Sequence, residues 1–427
     1  MRPDPQKLRE ALPLTLTANR PWYLAEAPLA LPEKTIQTLE RLGHVLWKFQ
    51  SACNLLYRRS VKGSAPPWIH ELLDRGKPSW LVEAGRKLEL IGELPVVIRP
   101  DLLITEHGLR LTEIDNLPGG IGLTAALAHA YDGPDQPVLG GGLGMAKGFA
   151  EVAGGRDVLV SVEAEDYRPE MEWLLALLKS EGLNSVGEVR SAEDGPRGVA
   201  IYRFFELFDH AAIPEARTMI ESDLQMTPPA KAFLEEKLWL ALFWSRPLRE
   251  YWVRELGSAY DRLLREIIPF SWSLDPEPIP HQAVYPRVDV HSWEELGQFS
   301  QKERSYVIKI SGFSEQAWGS RGVLIGPDVS QQAWREGLQN ALADFDRGQP
   351  WILQEYFEPS LVEAGYWDEA ESAWRRRMNR VRLCPYYFAA ESGVQLGGVL
   401  ATLVPADKKF VHGMDSAILA PVMEEKA

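Results

Sequence analysis

The chain has 427 residues, with 60 acidic and 46 basic side chains and a formal net charge of −14. An apolar fraction of 45% and a charged fraction of 25% exclude disorder, a collagen-type repeat and a disulfide scaffold, and the length points to more than one hydrophobic core. The acidic balance argues against nucleic acid or an anionic membrane as the main partner, because both repel negative charge. Two cysteines far apart in sequence, Cys53 and Cys384, fit a reducing compartment. No run reaches the ~18 apolar residues that span a bilayer. Met1-Arg2-Pro3-Asp4-Pro5 lacks the apolar stretch of a signal peptide. The expectation is a cytoplasmic protein with neither membrane nor nucleic acid as partner; its oligomeric state is not encoded in any pattern read here.

In chain order, residues 1–94 read as a helical N-terminal region. Pro32 to Tyr57 carries Ile36, Leu39, Leu42, Val45, Leu46 and Phe49 at helical spacing, and short helices continue from Trp68 to Leu90. The pattern then changes to strands. Pro95–Ile104 and Leu109–Asp115 flank Glu106-His107-Gly108, which predicts an antiparallel hairpin with a three-residue loop. With His107 at the centre, Asp101 faces Glu113 and Arg99 faces Asp115, and period-two alternation puts all four on one face. Directly opposed carboxylates repel by a few tenths to ~1 kcal/mol. A divalent cation offsets that naturally, because Mg²⁺ is held by a few carboxylates and keeps positions for water and phosphate oxygens. The alternative is a solvated hairpin with a surface Arg–Asp pair. The next segment, Asn116-Leu117-Pro118-Gly119-Gly120-Ile121-Gly122, has three glycines and a proline, a backbone suited to approaching something closely.

A helix near Leu123–Tyr131 follows. Residues 136–230 alternate strands (157–162, 199–204) with a helix (169–181), which predicts a small parallel α/β domain. Gly140-Gly141-Gly142-Leu143-Gly144 resembles a dinucleotide fingerprint. The strand before it is very short, however, and no acidic residue ends a following strand at the required distance, so an NAD-dependent oxidoreductase is the weaker alternative. Residues 230–268 read as helical and Trp-rich, and a loop with Pro276, Pro278, Pro280 and Pro286 follows.

Ser305–Ile310 is a strand that carries Lys309 among apolar neighbours. A loop over Ser311–Gly322 follows, and Val323–Ile325 closes it. The small residues Gly312, Ser314, Gly319, Ser320 and Gly322 let backbone amides reach phosphate oxygens. No Gly-Lys-Ser/Thr ends the loop and no helix follows it directly, so it is not a Walker P-loop; an ordinary glycine-rich hairpin with a salt-bridged lysine is the alternative. Pro350–Phe357 reads as an apolar strand with a polar end. Such an edge presents backbone groups to adenine, with Glu355 free for a ribose or amino group; a buried strand meeting a turn is the alternative. Arg375-Arg376-Arg377 reads as a solvated helix face. Arg380–Phe388 is a strand with Arg380 and Arg382 on one face, and Gly397–Leu403 is its hairpin partner.

In this order the segments resemble the ATP-grasp fold in the circularly permuted form of the glutathionylspermidine synthase family. Arg99-Pro100-Asp101 and Glu113-Ile114-Asp115 match the family's Arg-x-Asp and Glu-x-Asn strands, with Asp115 where the family has Asn. Tyr202-Arg203-Phe204-Phe205-Glu206 resembles the segment before its lid. Val307-Ile308-Lys309 with Gly319-Ser320 resembles its lid lysine and phosphate loop, and Leu353-Gln354-Glu355-Tyr356 its adenine hinge. The resemblance implies an α/β (α+β) ATP-grasp protein with a helical region over 1–94 and a metal-binding hairpin over 95–135 in the large lobe. It further implies a small parallel α/β domain over 136–230, helices plus the lid over 231–345, and the rest of the large lobe over 346–427. ATP and Mg²⁺ are the implied cofactors, with Asp101, Glu113 and Asp115 on the metal and Arg99 catalytic. Lys309, the loop residues, Gln354, Glu355 and Tyr356 would hold the nucleotide. The implied activity is an ATP-dependent carboxylate–amine ligase acting through an acyl phosphate on small-molecule or peptide-like substrates, with an ATP-grasp kinase or a non-catalytic nucleotide-binding protein as alternatives. No stretch of the sequence reads as an amidase domain, so the expectation is the form without that second activity. The family's first ATP-contacting lysine has no clear match; Trp244-Ser245-Arg246 resembles its neighbourhood.

Overall fold

The computed structural model describes residues 4–13, 16, 22–183, 187–317, 321–408 and 415–425. The chain is mixed α/β and divides into two compact units. One holds Met1–Phe49, Lys87–Ala230 and Pro359–Ala427; the other holds Gln50–Arg86 and Lys231–Glu358. No helix among the described residues is long and apolar enough to cross a membrane.

The first unit is built on an eight-stranded sheet. The hairpin Val97–Thr105 and Gly108–Asp115 lies at one end; Ala373–Ala390, Gly393–Pro405 and Ile418–Glu424 follow across the sheet. Ile418–Glu424 pairs in parallel with Tyr23–Leu24 and Leu29–Leu31. The N-terminal region expected to be helical therefore also contributes two strands, each too short for alternation to register in the sequence. Ala373–Ala390 is long because, besides Gly393–Pro405 on one side, it serves two neighbours in succession on the other. Its first half pairs with Leu361–Asp368 and its second half with Val97–Thr105. The Arg375–Arg377 run consequently lies on this strand, not on a helix. Arg376 pairs with Glu26 and Glu363, and Arg377 lies over the rings of Tyr23 and Tyr366.

One face of this sheet packs on the helix Glu33–Val61, whose Leu39, Leu42, Val45, Leu46 and Phe49 are buried. Each such side chain stabilises the fold by roughly 1.5–3 kcal/mol relative to exposure. The Tyr387 hydroxyl donates to Leu39 O at 2.6 Å and ties strand to helix. The same unit contains a second, fully parallel four-stranded sheet in the order Val189–Ser191, Asp157–Val160, Ala200–Phe204, Gln225–Thr227. The helix Arg168–Ser180 connects two of its strands, as the alternating pattern predicts.

The second unit holds an antiparallel four-stranded sheet in the order Val323–Ile325, Tyr306–Ile310, Trp351–Glu355, Ser271–Leu274. Trp272, Leu274, Ile308 and Leu353 on one face pack against Trp334, Leu338 and Ala341 of the helix Gln331–Asp346. Sequence reading did not anticipate that helix. Its signals are an N-cap at Ser330, whose hydroxyl accepts from Ala333 N at 3.1 Å, and an apolar stripe at 334, 338, 341 and 345. Trp351–Glu355 lies inside the sheet between two partners and is not an edge. A break at 345/346 would separate it from the lysine strand it pairs with, so it belongs with that strand.

Candidate functional site

In the hairpin, Arg99 faces Asp115 and Asp101 faces Glu113. The loop differs from expectation. It has two residues, Glu106 and His107, because Thr105 faces Gly108. A bulge absorbs the difference: Asp101 faces Glu113 but Leu102 faces Leu111, so Thr112 is the extra residue, and its hydroxyl donates to Asp101 O at 3.2 Å. Shorter loop and bulge cancel, which is why the charged end keeps the predicted pairing.

The neighbouring strand completes the face. Arg382 lies opposite Leu103, and residues two apart on a strand share a face, so Arg382, Cys384 and Tyr386 join Arg99 and Asp101. Asp101 is only 2% exposed. Its Oδ1 accepts from Arg99 Nε at 3.0 Å and from Cys384 Sγ at 3.4 Å, and its Oδ2 from Arg382 Nη1 at 2.9 Å. Arg99 Nη2 reaches Asp115 Oδ2 at 2.9 Å, and Asp115 Oδ1 accepts from Leu117 N at 2.8 Å. Burial opposes the Arg99 charge, but the pull of Asp101 and Asp115 outweighs it and holds the guanidinium well above its ordinary value. Burial, with Glu113 adding repulsion, pushes the Asp115 carboxyl up against the opposing pull of Arg99. Burial and the Asp101 charge push the Cys384 thiol up to about 12.

These donors do not form a cation site as arranged. Guanidiniums take both oxygens of Asp101, and among the described residues no group of three or more His, Cys, Asp or Glu is placed to hold a metal ion. The charge compensation that the sequence reading gave to Mg²⁺ comes from Arg99 and Arg382.

The glycine segment after the hairpin approaches its own fold. Gly120 has φ +85°, and a Cβ there would lie 2.6 Å from the Tyr386 hydroxyl. Tyr386 Oη donates to Gly119 O at 2.7 Å, and Arg99 Nη1 to the same oxygen at 3.2 Å. The buried Glu170 carboxylate accepts from Gly120 N at 2.7 Å and Leu123 N at 2.9 Å, capping the helix Ile121–Tyr131. At the fingerprint-like segment, a Cβ on Gly140 would lie 2.3 Å from Gly397 O. That glycine is needed for packing on the sheet, which removes the main support for a dinucleotide site.

In the second unit, Lys309, Gln354 and Ser271 share the sheet face opposite the apolar core. Lys309, 6% exposed, donates from Nζ to Gln354 Oε1 at 2.8 Å, and Gln354 Nε2 donates to Ser271 Oγ at 3.1 Å. The loop after Lys309 folds on itself. Ser314 Oγ accepts from Gln316 N at 3.3 Å, Ala317 N donates to Ser314 O at 2.9 Å, and Gly322 N to Gln316 O at 2.7 Å. Several of the amides expected to meet phosphate are thus bonded within the loop. Gly319 and Ser320 lie outside the described residues. Glu355, expected to be free, accepts from Arg287 Nη1 at 2.9 and 3.2 Å and from Phe270 N at 3.3 Å; Tyr356 N donates to Ser305 O at 2.9 Å.

Lys77, Glu236 and Lys237 escaped the sequence reading. Lys77 pairs with Glu236, whose carboxylate also accepts from Ser311 at the base of the loop, and Lys237 N donates to Ser311 O at 3.0 Å. Glu236 and Lys237 show in sequence as Glu235-Glu236-Lys237 ahead of an apolar run, whereas nothing local marks Lys77. Trp244 ends the helix Leu238–Trp244, with Arg265 and Arg287 over its ring and Phe270 beside it.

No family model matches the chain, and no curated protein does. Among solved structures, a glutathione synthetase-like effector from Globodera pallida, in apo form, is similar over 99% of this chain and 98% of its own, with a TM-score of 0.56 and 12% identity. A putative gamma-glutamylcysteine synthetase from Methylobacillus flagellatus KT aligns over 81% of this chain and 87% of its own, with a TM-score of 0.37 and 12% identity. The first likeness is one of fold: the mixed α/β architecture of this chain follows that of the glutathione synthetase-like effector over nearly its whole length.

Proposed function

We propose that the chain is an ATP-dependent carboxylate–amine ligase of ATP-grasp type. A substrate carboxylate oxygen attacks the γ-phosphorus of ATP, the bond to the β-γ bridging oxygen breaks, and ADP leaves. An amine then attacks the acyl phosphate carbon, an amide forms, phosphate departs, and the amine gives up a proton. The reaction needs positioning and charge compensation more than covalent help from the protein. Lys309 supplies an ammonium for the phosphates, with Gln354 holding it in place. The 311–322 loop, with Gly312, Ser314, Gly319, Ser320 and Gly322, covers the phosphates and keeps water from the acyl phosphate. Glu355 and Tyr356 border the nucleoside. The resemblance gives Arg99 the task of compensating charge on the transferring phosphoryl or the tetrahedral oxyanion. No step is assigned to Mg²⁺, since two of the three carboxylates expected to hold it, Asp101 and Asp115, are engaged by arginine. The partners are a small-molecule or peptide-like acid and an amine.

The observation that supports this best is the Lys309–Gln354 pair, a buried ammonium held at the root of a small-residue loop within a glutathione-synthetase-like fold. The test is thermal melting with ATP or NADH, for the wild type and Lys309→Met. The reading expects ATP to raise the melting temperature of the wild type alone and NADH to leave it unchanged. Stabilisation by NADH without any by ATP would restore the oxidoreductase alternative.

A further inference from the structure

We propose that Arg99 is the built-in counter-cation of the acidic hairpin, seated where a divalent metal would have to lie, so that the free chain takes up such a metal only when Arg99 is gone. All three guanidinium nitrogens are committed: Nε to Asp101 Oδ1 at 3.0 Å, Nη2 to Asp115 Oδ2 at 2.9 Å and Nη1 to Gly119 O at 3.2 Å. Arg99 thereby bridges carboxylates from both strands of the hairpin. Arg382 closes the other side, with Nη1 2.9 Å from Asp101 Oδ2. A magnesium-sized cation needs carboxylate lone pairs at about 2.0–2.1 Å in octahedral array. Those of Asp101 point at guanidinium and thiol donors. Charge leads to the same conclusion. Asp101, Glu113 and Asp115 against Arg99 and Arg382 leave one negative charge in excess, which a dication would overshoot beside two guanidiniums. With Arg99 made neutral, two negative charges remain, which a dication matches.

The inference stands on the hairpin alone and not on the ligase reading. Its test uses no nucleotide, so either can fail without the other. Mn²⁺ is titrated into the full chain, bound metal is read from the loss of the free-ion paramagnetic resonance signal, and melting temperature is followed in parallel. The wild type is expected to leave the signal unchanged and to melt at the same temperature with and without Mn²⁺. Arg99→Gln is expected to melt lower, to bind about one Mn²⁺ per chain at least tenfold more tightly than wild type, and to recover melting temperature as Mn²⁺ is added. Asp101→Asn in the Arg99→Gln background is expected to abolish that binding. Arg99→Lys keeps a charge but cannot bridge both carboxylates, so its affinity should fall between the two and serves the comparison should Arg99→Gln not fold. Wild type binding Mn²⁺ as tightly as the Arg99 variants, through Asp101, overturns the proposal, as does an Arg99 variant that folds and gains no binding.

Discussion

The base of the 311–322 loop rests on a buried ion pair, and breaking it yields a quantitative expectation. The side chains of Lys77 and Glu236 are each 1% exposed, and the Glu236 carboxylate also accepts from the Ser311 hydroxyl. Ser311 itself is held at every polar atom: its N donates to Pro350 O at 2.9 Å, its O accepts from Lys237 N at 3.0 Å, and its Oγ accepts from Leu238 N at 2.9 Å. Lys77→Met keeps the side-chain length and removes the ammonium, leaving the carboxylate charge buried beside one hydroxyl. Removing one partner of such a pair costs about 3–5 kcal/mol, and burial leaves no solvent to screen it. Glu236→Gln removes the charge and keeps an acceptor for Ser311. The double variant has no uncompensated charge and should lose less than Lys77→Met alone, so the two substitutions should couple by about 2 kcal/mol or more. Because two compact units need not unfold as one, the free energies are best read from amide exchange at Ser311 and Leu238 in a double-mutant cycle. Additivity within ~0.5 kcal/mol would show that the pair does not act as a unit and refute the reasoning.

Other expectations concern the charged hairpin, the thiols and the hinge. Asp101→Asn leaves Arg99 and Arg382 without their shared carboxylate and should cost about 3–5 kcal/mol in urea denaturation, whereas Glu113→Gln, half-buried, should cost less than about 1 kcal/mol. Cys53 and Cys384 are buried, and burial raises both thiols, so neither should react with a disulfide reagent at pH 8 until the chain is unfolded. For Cys384 the folded state holds its proton from the ordinary 9.0 up to about 12, so this thiol's contribution to stability falls as pH rises through that window; melting of Cys384→Ala should show a correspondingly weaker alkaline loss. Arg287→Ala releases Glu355 from a half-exposed pair worth ~0–1 kcal/mol, and ATP binding measured by calorimetry should tighten by up to roughly fivefold. Weaker binding would mean that Arg287 itself meets the nucleotide.

Local features were legible in the sequence. Alternation in 97–115 is enough to set Arg99 against Asp115 and Asp101 against Glu113, since side-chain period two depends on nothing outside the hairpin. The bulge at Thr112 and the two-residue turn left no trace, because Gly108 suits either loop and the two differences cancel. The long-range partners were not legible. Arg382 reaches Asp101 across 281 residues of sequence, and its strand pairing is what brings a second guanidinium to the hairpin's carboxylates. The same holds for Trp351–Glu355. An apolar strand reads alike at an edge or in the middle of a sheet, and only its pairing with Ser271–Leu274 and Tyr306–Ile310 makes it central. The Arg375–Arg377 run was misread as helical because three consecutive charges hide the alternation of an exposed, twisted strand pair.

The ligase reading is tested most directly by trapping its intermediate. The full chain is incubated with ATP, Mg²⁺, hydroxylamine and, in turn, members of a panel of amino acids and short peptides bearing free carboxylates. The account predicts a hydroxamate that forms only when ATP and one particular acid are both present, in step with ADP release, and that is lost in Lys309→Met. A stable phosphorylated hydroxyl product in place of the hydroxamate would contradict it.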